Sequence, residues 1–341
     1  MKRVGVLTGG GNCPGINAVI RGIVLCAAKY DMGVIGFRRG WQGLLDGGQT
    51  TLLDLGDVED IHTLGGTIIG TSRTDPFATP DGPDQVCRSL DHHKCEGLIV
   101  IGGEKTLGAA ERLARQGLPI VGVPKTIDNN VAATDYTFGF ITAINTATDA
   151  IERLATTAKA QGRVLVVQVM GRNSGWLAIY AGMAGSAQQV LIPEKPFVVD
   201  QVCERLKRRF ANGSDHALVV VAEGARPANP NDLEITEPPS PDGESDGVAR
   251  ALARAIKERT GLPTGHVALG TLQRGGSPTA FDRVLGLRLG LKAVELVRAG
   301  KFGMMVSLRA TEIVAVALEQ AVCTPKTVSE DLYLEASELF D

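Results

Sequence analysis

The chain has 341 residues, 44% of them apolar and 21% charged, with a mean hydropathy close to zero, which is enough for a large core and, at this length, for two domains. A formal net charge of -3 leaves no basic footprint, so neither nucleic acid nor an anionic membrane is an expected partner. No apolar run reaches the length of a membrane span.

Met1-Lys2-Arg3 leads straight into a predicted strand over 4–8, without the apolar region or cleavage site of a signal peptide, which predicts a cytoplasmic protein. Gly9-Gly10-Gly11-Asn12-Cys13-Pro14-Gly15 then opens a helix over about 16–28. A glycine loop at a helix start can offer bare N–H groups to a phosphate, and a purely structural tight turn fits it equally well. The dinucleotide pattern G-x-G-x-x-G fails because Pro14 stands at its last glycine. After a strand over 34–37, the glycine-framed loop 64–73 carries Arg73, either solvated or in contact with an anion.

The apolar run 98–101 feeds Gly102-Gly103-Glu104-Lys105-Thr106 and a helix, and the run 121–123 ends at Pro124. Lys125, Thr126 and Asp128 therefore project from a strand's carboxyl end, where open α/β sheets bind ligands, and the two neighbouring loops suggest one shared pocket. Beyond a long helix over 140–159, a strand over 164–169 ends in Met170-Gly171-Arg172, and another over 216–222 delivers Glu223-Gly224. Helices over 177–184 and 199–211 and a short strand over 190–192 complete an alternation that implies mostly parallel sheets. The segment 226–247, with Pro227, Pro230, Pro238, Pro239 and Pro241, reads as a surface loop without a catalytic role. A helix over 248–259, a strand over 267–269, the loop 270–278, a helix over 281–297 and a last strand over 304–308 follow.

The six cysteines lack paired spacing and read as reduced, mostly buried thiols, and the five histidines lack metal-ligand spacing. Gly103-Glu104-Lys105-Thr106 has the wrong length for a Walker A loop, and no nucleophile elbow or Cys/His pairing stands out. What remains is a set of glycine loops with Arg73, Arg163, Arg172 and Arg274 and the lone acids Glu104 and Asp128. That inventory suits phosphoryl transfer, in which charge neutralisation and positioning dominate and one carboxylate takes the proton of the attacking hydroxyl.

Thr8-Gly9-Gly10-Gly11, Gly65-Gly66-Thr67, Ile101-Gly102-Gly103-Glu104, Pro124-Lys125-Thr126-Ile127-Asp128-Asn129, Val169-Met170-Gly171-Arg172, Ala222-Glu223-Gly224 and Gln273-Arg274-Gly275-Gly276-Ser277-Pro278 stand in the order and spacing of one family. The chain resembles the phosphofructokinases from residue 1 to about 322, and Glu104 with Lys125 looks most like the branch that holds both ATP- and pyrophosphate-dependent members. The resemblance implies two three-layer α/β domains with mostly parallel sheets and the site in the cleft between them. Residues 1–139 with about 255–305 would bind the donor, and 140–254 with about 306–341 the sugar phosphate. It further implies a homodimer or homotetramer whose chains complete each other's sugar pocket, with Mg2+ as cofactor and ATP or pyrophosphate as donor.

Carried over by position, Asp128 is the base, with Thr126 and Arg172 as catalytic neighbours. Gly11, Arg73, Gly103, Lys105, Thr106 and Lys125 fall on the donor and Glu104 on the metal. Asn130, Met170, Gly171, Arg172, Glu223, Gly265, Thr271 and Arg274 fall on the acceptor, and Arg163 would reach the acceptor of the adjacent chain.

Five positions depart from the family pattern. Asn12 and Asn130 replace aspartates, and Lys105 replaces glycine or aspartate, making the donor side more positive; Lys105 either blocks ATP or binds a polyphosphate and partly replaces the metal. Gly265 replaces an arginine and Thr271 a histidine, both of which hold the sugar's 6-phosphate in the family. Each lost charge-assisted bond is worth about 1.5–3 kcal/mol. His266 would compensate only if its side chain faced the same way as position 265, which a regular strand forbids. Leu25 and Ala155, at positions where some bacterial members bind effectors with basic residues, predict no strong nucleotide regulation. The expected activity is phosphorylation of fructose 6-phosphate to the 1,6-bisphosphate. Two other readings fit the departures: a paralogue acting on a sugar or specialised metabolite without the 6-phosphate, and a catalytically inactive binding or regulatory homologue.

Overall fold

The structure, a computed structural model, describes residues 2–45, 47–237 and 245–340. In chain order the elements are β1 (Arg3–Thr8), α1 (Ile16–Lys29), β2 (Gly33–Phe37), β3 (Thr50–Leu53), α2 (Gly82–His92), β4 (Cys95–Gly102), α3 (Glu104–Arg115), β5 (Ile120–Pro124) and α4 (Phe140–Gln161). There follow β6 (Val164–Val169), α5 (Trp176–Ala184), β7 (Gln189–Leu191), α6 (Val199–Ala211), β8 (Ala217–Ala222), α7 (Gly247–Thr260) and β9 (Thr264–Ala268). The last are α8 (Ala280–Arg298), β10 (Met304–Arg309), β11 (Glu312–Ala317), α9 (Leu318–Val322) and α10 (Glu330–Ser337).

The chain divides into two compact units: Met1–Ile127 with Val131–Thr142 and Arg274–Pro325, and Asp128–Asn130 with Ala143–Gln273 and Lys326–Asp341. Among the described residues the first unit holds a seven-stranded sheet in the order β11-β10-β5-β4-β1-β2-β3. Its interior is parallel and each edge is antiparallel, β3 on β2 and β11 on β10. The second unit holds a four-stranded parallel sheet, β7-β8-β6-β9. The inner strands β1, β4, β5, β6 and β8 are buried along almost their whole length, which explains their unbroken apolar runs: helices cover a parallel sheet on both faces.

β3, α2, β11, α9 and α10 have no counterpart among the elements expected from the sequence. The reason is clearest at β11, which joins β10 through a two-residue turn, Ala310-Thr311. Such turns need positive φ and advertise themselves with Asn or Gly, but here Ala310 adopts φ 50°, and its N–H donates to Asp135 Oδ2 at 2.6 Å. A distant carboxylate replaces the local turn signal. Residues 255–273 lie in the second unit because β9 pairs with β6, and 306–325 lie in the first because β10 pairs with β5.

The proline-rich segment is more than a surface loop. Pro230–Asp232 forms a 3-10 turn, Leu233 is buried, and Ile235 packs on the second unit's core. Pro238, Pro239 and Pro241 lie outside the described residues. Cys13, Cys26 and Cys203 are buried, Cys95 is half-buried with its thiol pushed up to about 11 by burial, and Cys87 and Cys323 are exposed, all six as free thiols. No described helix is long and apolar enough to cross a membrane.

Candidate active site

In the first unit, the strand ends of β1, β4 and β5 present three loops that bond to one another. The Gly9 N–H donates to the Ile101 carbonyl at 2.9 Å and the Gly10 N–H to the Ser72 carbonyl at 2.8 Å. Those two amides are therefore engaged within the fold, and Gly11 and Asn12 remain as the loop's candidate anion donors. Lys125, only 3% exposed, donates from Nζ to the Gly11 carbonyl at 2.6 Å, and its own N–H donates to the Gly102 carbonyl at 2.9 Å. A β5-end residue thus ties the β1 loop to the β4 loop.

Arg274 packs on this loop. Its Nη1 donates to the Asn12 carbonyl at 3.4 Å, and Asn12 Nδ2 donates to the Arg274 carbonyl at 3.0 Å, a bond an aspartate could not make. Asn12 Oδ1 and Arg274 Nε are buried with no hydrogen-bond partner among the described residues.

Gly103 precedes α3, whose first turn carries half-buried Glu104, exposed Lys105 and buried Thr106. Thr106 fills the space over Gly9, where a Cβ would stand 2.6 Å from its Cγ2, so its methyl shapes the loop. Arg73 is exposed. Thr126 is buried, and its carbonyl accepts from Thr137 Oγ1 at 2.7 Å.

The tripeptide Asp128-Asn129-Asn130 belongs to the second unit. Asn129 is 1% exposed and sits in the left-handed region at φ 50°, where Asn is among the tolerated residues. Half-buried Asp128 accepts on its carbonyl from Ser174 Oγ at 3.1 Å. Lys326 Nζ donates to Asn129 Oδ1 at 3.1 Å, and the Lys326 N–H to the Asn130 carbonyl at 2.9 Å.

In the same unit the Met170 N–H donates to Gln273 Oε1 at 3.2 Å, and the Gly224 N–H to the Gly171 carbonyl at 3.0 Å, which brings Met170, Gly171 and buried Glu223 to the joined ends of β6 and β8. Half-buried Arg172 follows, its Nε enclosed and without a hydrogen-bond partner among the described residues. Arg163 lies across Gly265, the residue beside Leu165 in the β6–β9 ladder, and a Cβ at 265 would collide with its guanidinium. Arg163 Nη1 donates to Gln161 Oε1 at 3.0 Å. Thr271 is exposed. His266 Nε2 bonds to Asp246 Oδ2 at 3.0 Å and so serves a different partner from its neighbour, as the alternation of a regular strand requires.

Three side chains that hold these loops were not legible in the sequence reading: Ser174, Gln273 and Lys326. Each lies far along the chain from what it supports, and no local pattern points to such a role.

A family model for phosphofructokinase matches residues 3–297. The chain is 50% identical to the pyrophosphate–fructose 6-phosphate 1-phosphotransferase of Amycolatopsis methanolica, over 99% of both chains. It is 48% identical to ATP-dependent 6-phosphofructokinase 3 of Streptomyces coelicolor, over 98% of both. Among solved structures, Pichia pastoris phosphofructokinase in the T-state matches with a TM-score of 0.84 at 30% identity, covering 94% of this chain and 35% of the yeast chain. With the glycine loops, the turn bearing Asp128 and the pattern of the whole chain in agreement, this protein belongs to the phosphofructokinase family.

Proposed function

We propose that the protein transfers a phosphoryl group from pyrophosphate or ATP to the 1-hydroxyl of fructose 6-phosphate. The observation that carries this reading is Asp128, a half-buried carboxylate on a left-handed turn held by Ser174 and Lys326 in a chain whose full-length relatives bear that activity in their names. Asp128 accepts the hydroxyl proton as the acceptor oxygen bonds to phosphorus and the bridging P–O bond of the donor breaks. Gly11, Arg73, Gly103, Thr106 and Lys125 serve the donor, and Met170, Gly171, Arg172, Glu223 and Arg163 the acceptor. Thr126 and Arg274 support the catalytic and glycine loops.

Glu104 is a single carboxylate at the start of α3, and among the described residues no three His, Cys, Asp or Glu side chains gather into a metal cluster. That donor set suits Mg2+, which commonly takes one or two carboxylates and completes its shell with substrate phosphates and water. The ion would neutralise developing charge on the transferred group. Lys105 is exposed, which is compatible with ATP as well as pyrophosphate, and both donors are carried forward. The protein acts in the cytoplasm as a homodimer or homotetramer.

A second reading, an acceptor without the 6-phosphate, draws on Gly265 and Thr271, neither of which supplies a cation. The Arg163 guanidinium over Gly265 keeps one positive group at that strand position, which is compatible with the first reading. The pinned Asp128 weighs against an inactive homologue. Phosphorus NMR with fructose 6-phosphate and either ATP or pyrophosphate, with and without Mg2+, tests the proposal. Fructose 1,6-bisphosphate in one tube supports it and names the donor. No product in any tube, beside an active family member, rejects it.

A further inference from the structure

We infer that Lys326 is a positioning residue for the Asp128-Asn129-Asn130 turn, and that the strap formed by residues 326–328 sets where the Asp128 carboxylate stands. The catalytic part of this inference rests on the reading of Asp128 as the base.

The contacts close a ring within the second unit. Lys326 grips the turn twice, through Nζ to Asn129 Oδ1 and through its N–H to the Asn130 carbonyl. The Trp176 indole holds Lys326 in turn: Nε1 donates to the Lys326 carbonyl at 3.0 Å, and the ammonium lies 5.3 Å from the ring centroid. Two residues on, the Val328 N–H donates to Glu194 Oε1 at 2.9 Å. The same oxygen accepts from the Gly175 N–H at 2.9 Å, and the neighbouring Ser174 Oγ returns to the Asp128 carbonyl. Strap and turn are thus bonded to the same short segment, 174–176, so displacement of one is transmitted to the other.

The local chemistry explains why the ammonium is needed. A left-handed non-glycine residue is held by its surroundings rather than by its own preference. Asn129 is almost wholly buried, so its amide oxygen relies mainly on donors that the chain supplies, of which the Lys326 ammonium is one. A general base must stay within hydrogen-bond reach of the proton it takes, and misplacement by about 1 Å can cost about a hundredfold in rate.

The test compares the full-length protein with Lys326→Met, which keeps the stem over Trp176 and removes the ammonium, and Lys326→Arg, which restores a donor and stacks on the indole. With fructose 6-phosphate and the productive donor, Lys326→Met is expected to lose about 10–100-fold in kcat with both KM values within about threefold, and Lys326→Arg to recover most of that loss. Hydrogen exchange at the amides of residues 129–131 is expected to quicken about tenfold or more in Lys326→Met and not in Lys326→Arg. An unchanged kcat in Lys326→Met overturns the catalytic inference. Unchanged exchange overturns the positioning inference on its own, whether or not the protein turns over fructose 6-phosphate. An inactive wild type with both donors overturns the function reading, and the exchange measurement still decides whether Lys326 sets the turn.

Discussion

Asp128 and Asp282 are two carboxylates that the fold treats in opposite ways. Asp128, the proposed base, is half-buried. Replacing it with Asn preserves shape and removes the proton acceptor, so Asp128→Asn is expected to lose about 10²–10⁴-fold in kcat with an unchanged thermal midpoint, read by a steady-state assay and a circular-dichroism melt. Asp282, fully buried on α8, accepts from the Gly139 N–H and Thr142 N–H, both at 2.8 Å, and from Thr142 Oγ1 at 2.5 Å. Burial pushes its carboxyl above the ordinary range, and these donors only partly oppose it. A carboxyl raised in the folded state adds stability that is full below its unfolded pKa, about 3.9, and is lost as pH rises through the folded value. The wild type's advantage over Asp282→Asn in urea unfolding should therefore be larger at pH 3.5, below the unfolded pKa, than at pH 7.5. An advantage that grows with pH would contradict this assignment.

Among the elements, the parallel strands were legible, because buried parallel strands are written as apolar runs and glycines follow them. What those glycines accommodate was not. The loops after β1, β4 and β5 meet through Lys125, and a sequence cannot reveal that a lysine after Pro124 points at the Gly11 carbonyl. The β6–β9 pairing is similar: Gly265 reads as a lost cation, yet β9 beside β6 leaves space over Gly265 that Arg163 occupies. Gly265→Ala places a methyl in that space and must displace the guanidinium. The expected result is a KM for fructose 6-phosphate raised about tenfold or more with the donor KM unchanged, measured by varying each substrate in turn. An unaltered acceptor KM would mean that Arg163 does not serve the sugar phosphate in this pose.

For the whole molecule, the expected assembly is a homodimer or homotetramer, and α8 offers an observation that bears on it. Phe281, Val284 and Leu291 are 43%, 55% and 40% exposed, and their spacing puts them on one side of the helix. Exposed apolar side chains that share one helix face are the kind of surface that contacts between chains cover. Sedimentation is expected to give two or four chain masses, and Val284→Glu to shift the population toward smaller species; a wild-type monomer at micromolar concentration would refute the oligomer.

By itself the sequence determined the α/β class, the family, the strand-end loops and Asp128 as the candidate base, because each is written locally in apolar periodicity, glycine placement and short motifs. Only the tertiary structure decided the antiparallel edge strands, the reciprocal bonds of Asn12 with Arg274, the Arg163 guanidinium over Gly265 and the grip of Lys326 on the Asp128-Asn129-Asn130 turn. The last three join residues remote in the chain through paired hydrogen bonds or a steric fit, and the edge strands join through ladders. Such contacts have no periodicity to read, and they exist only once the strands have placed their ends together.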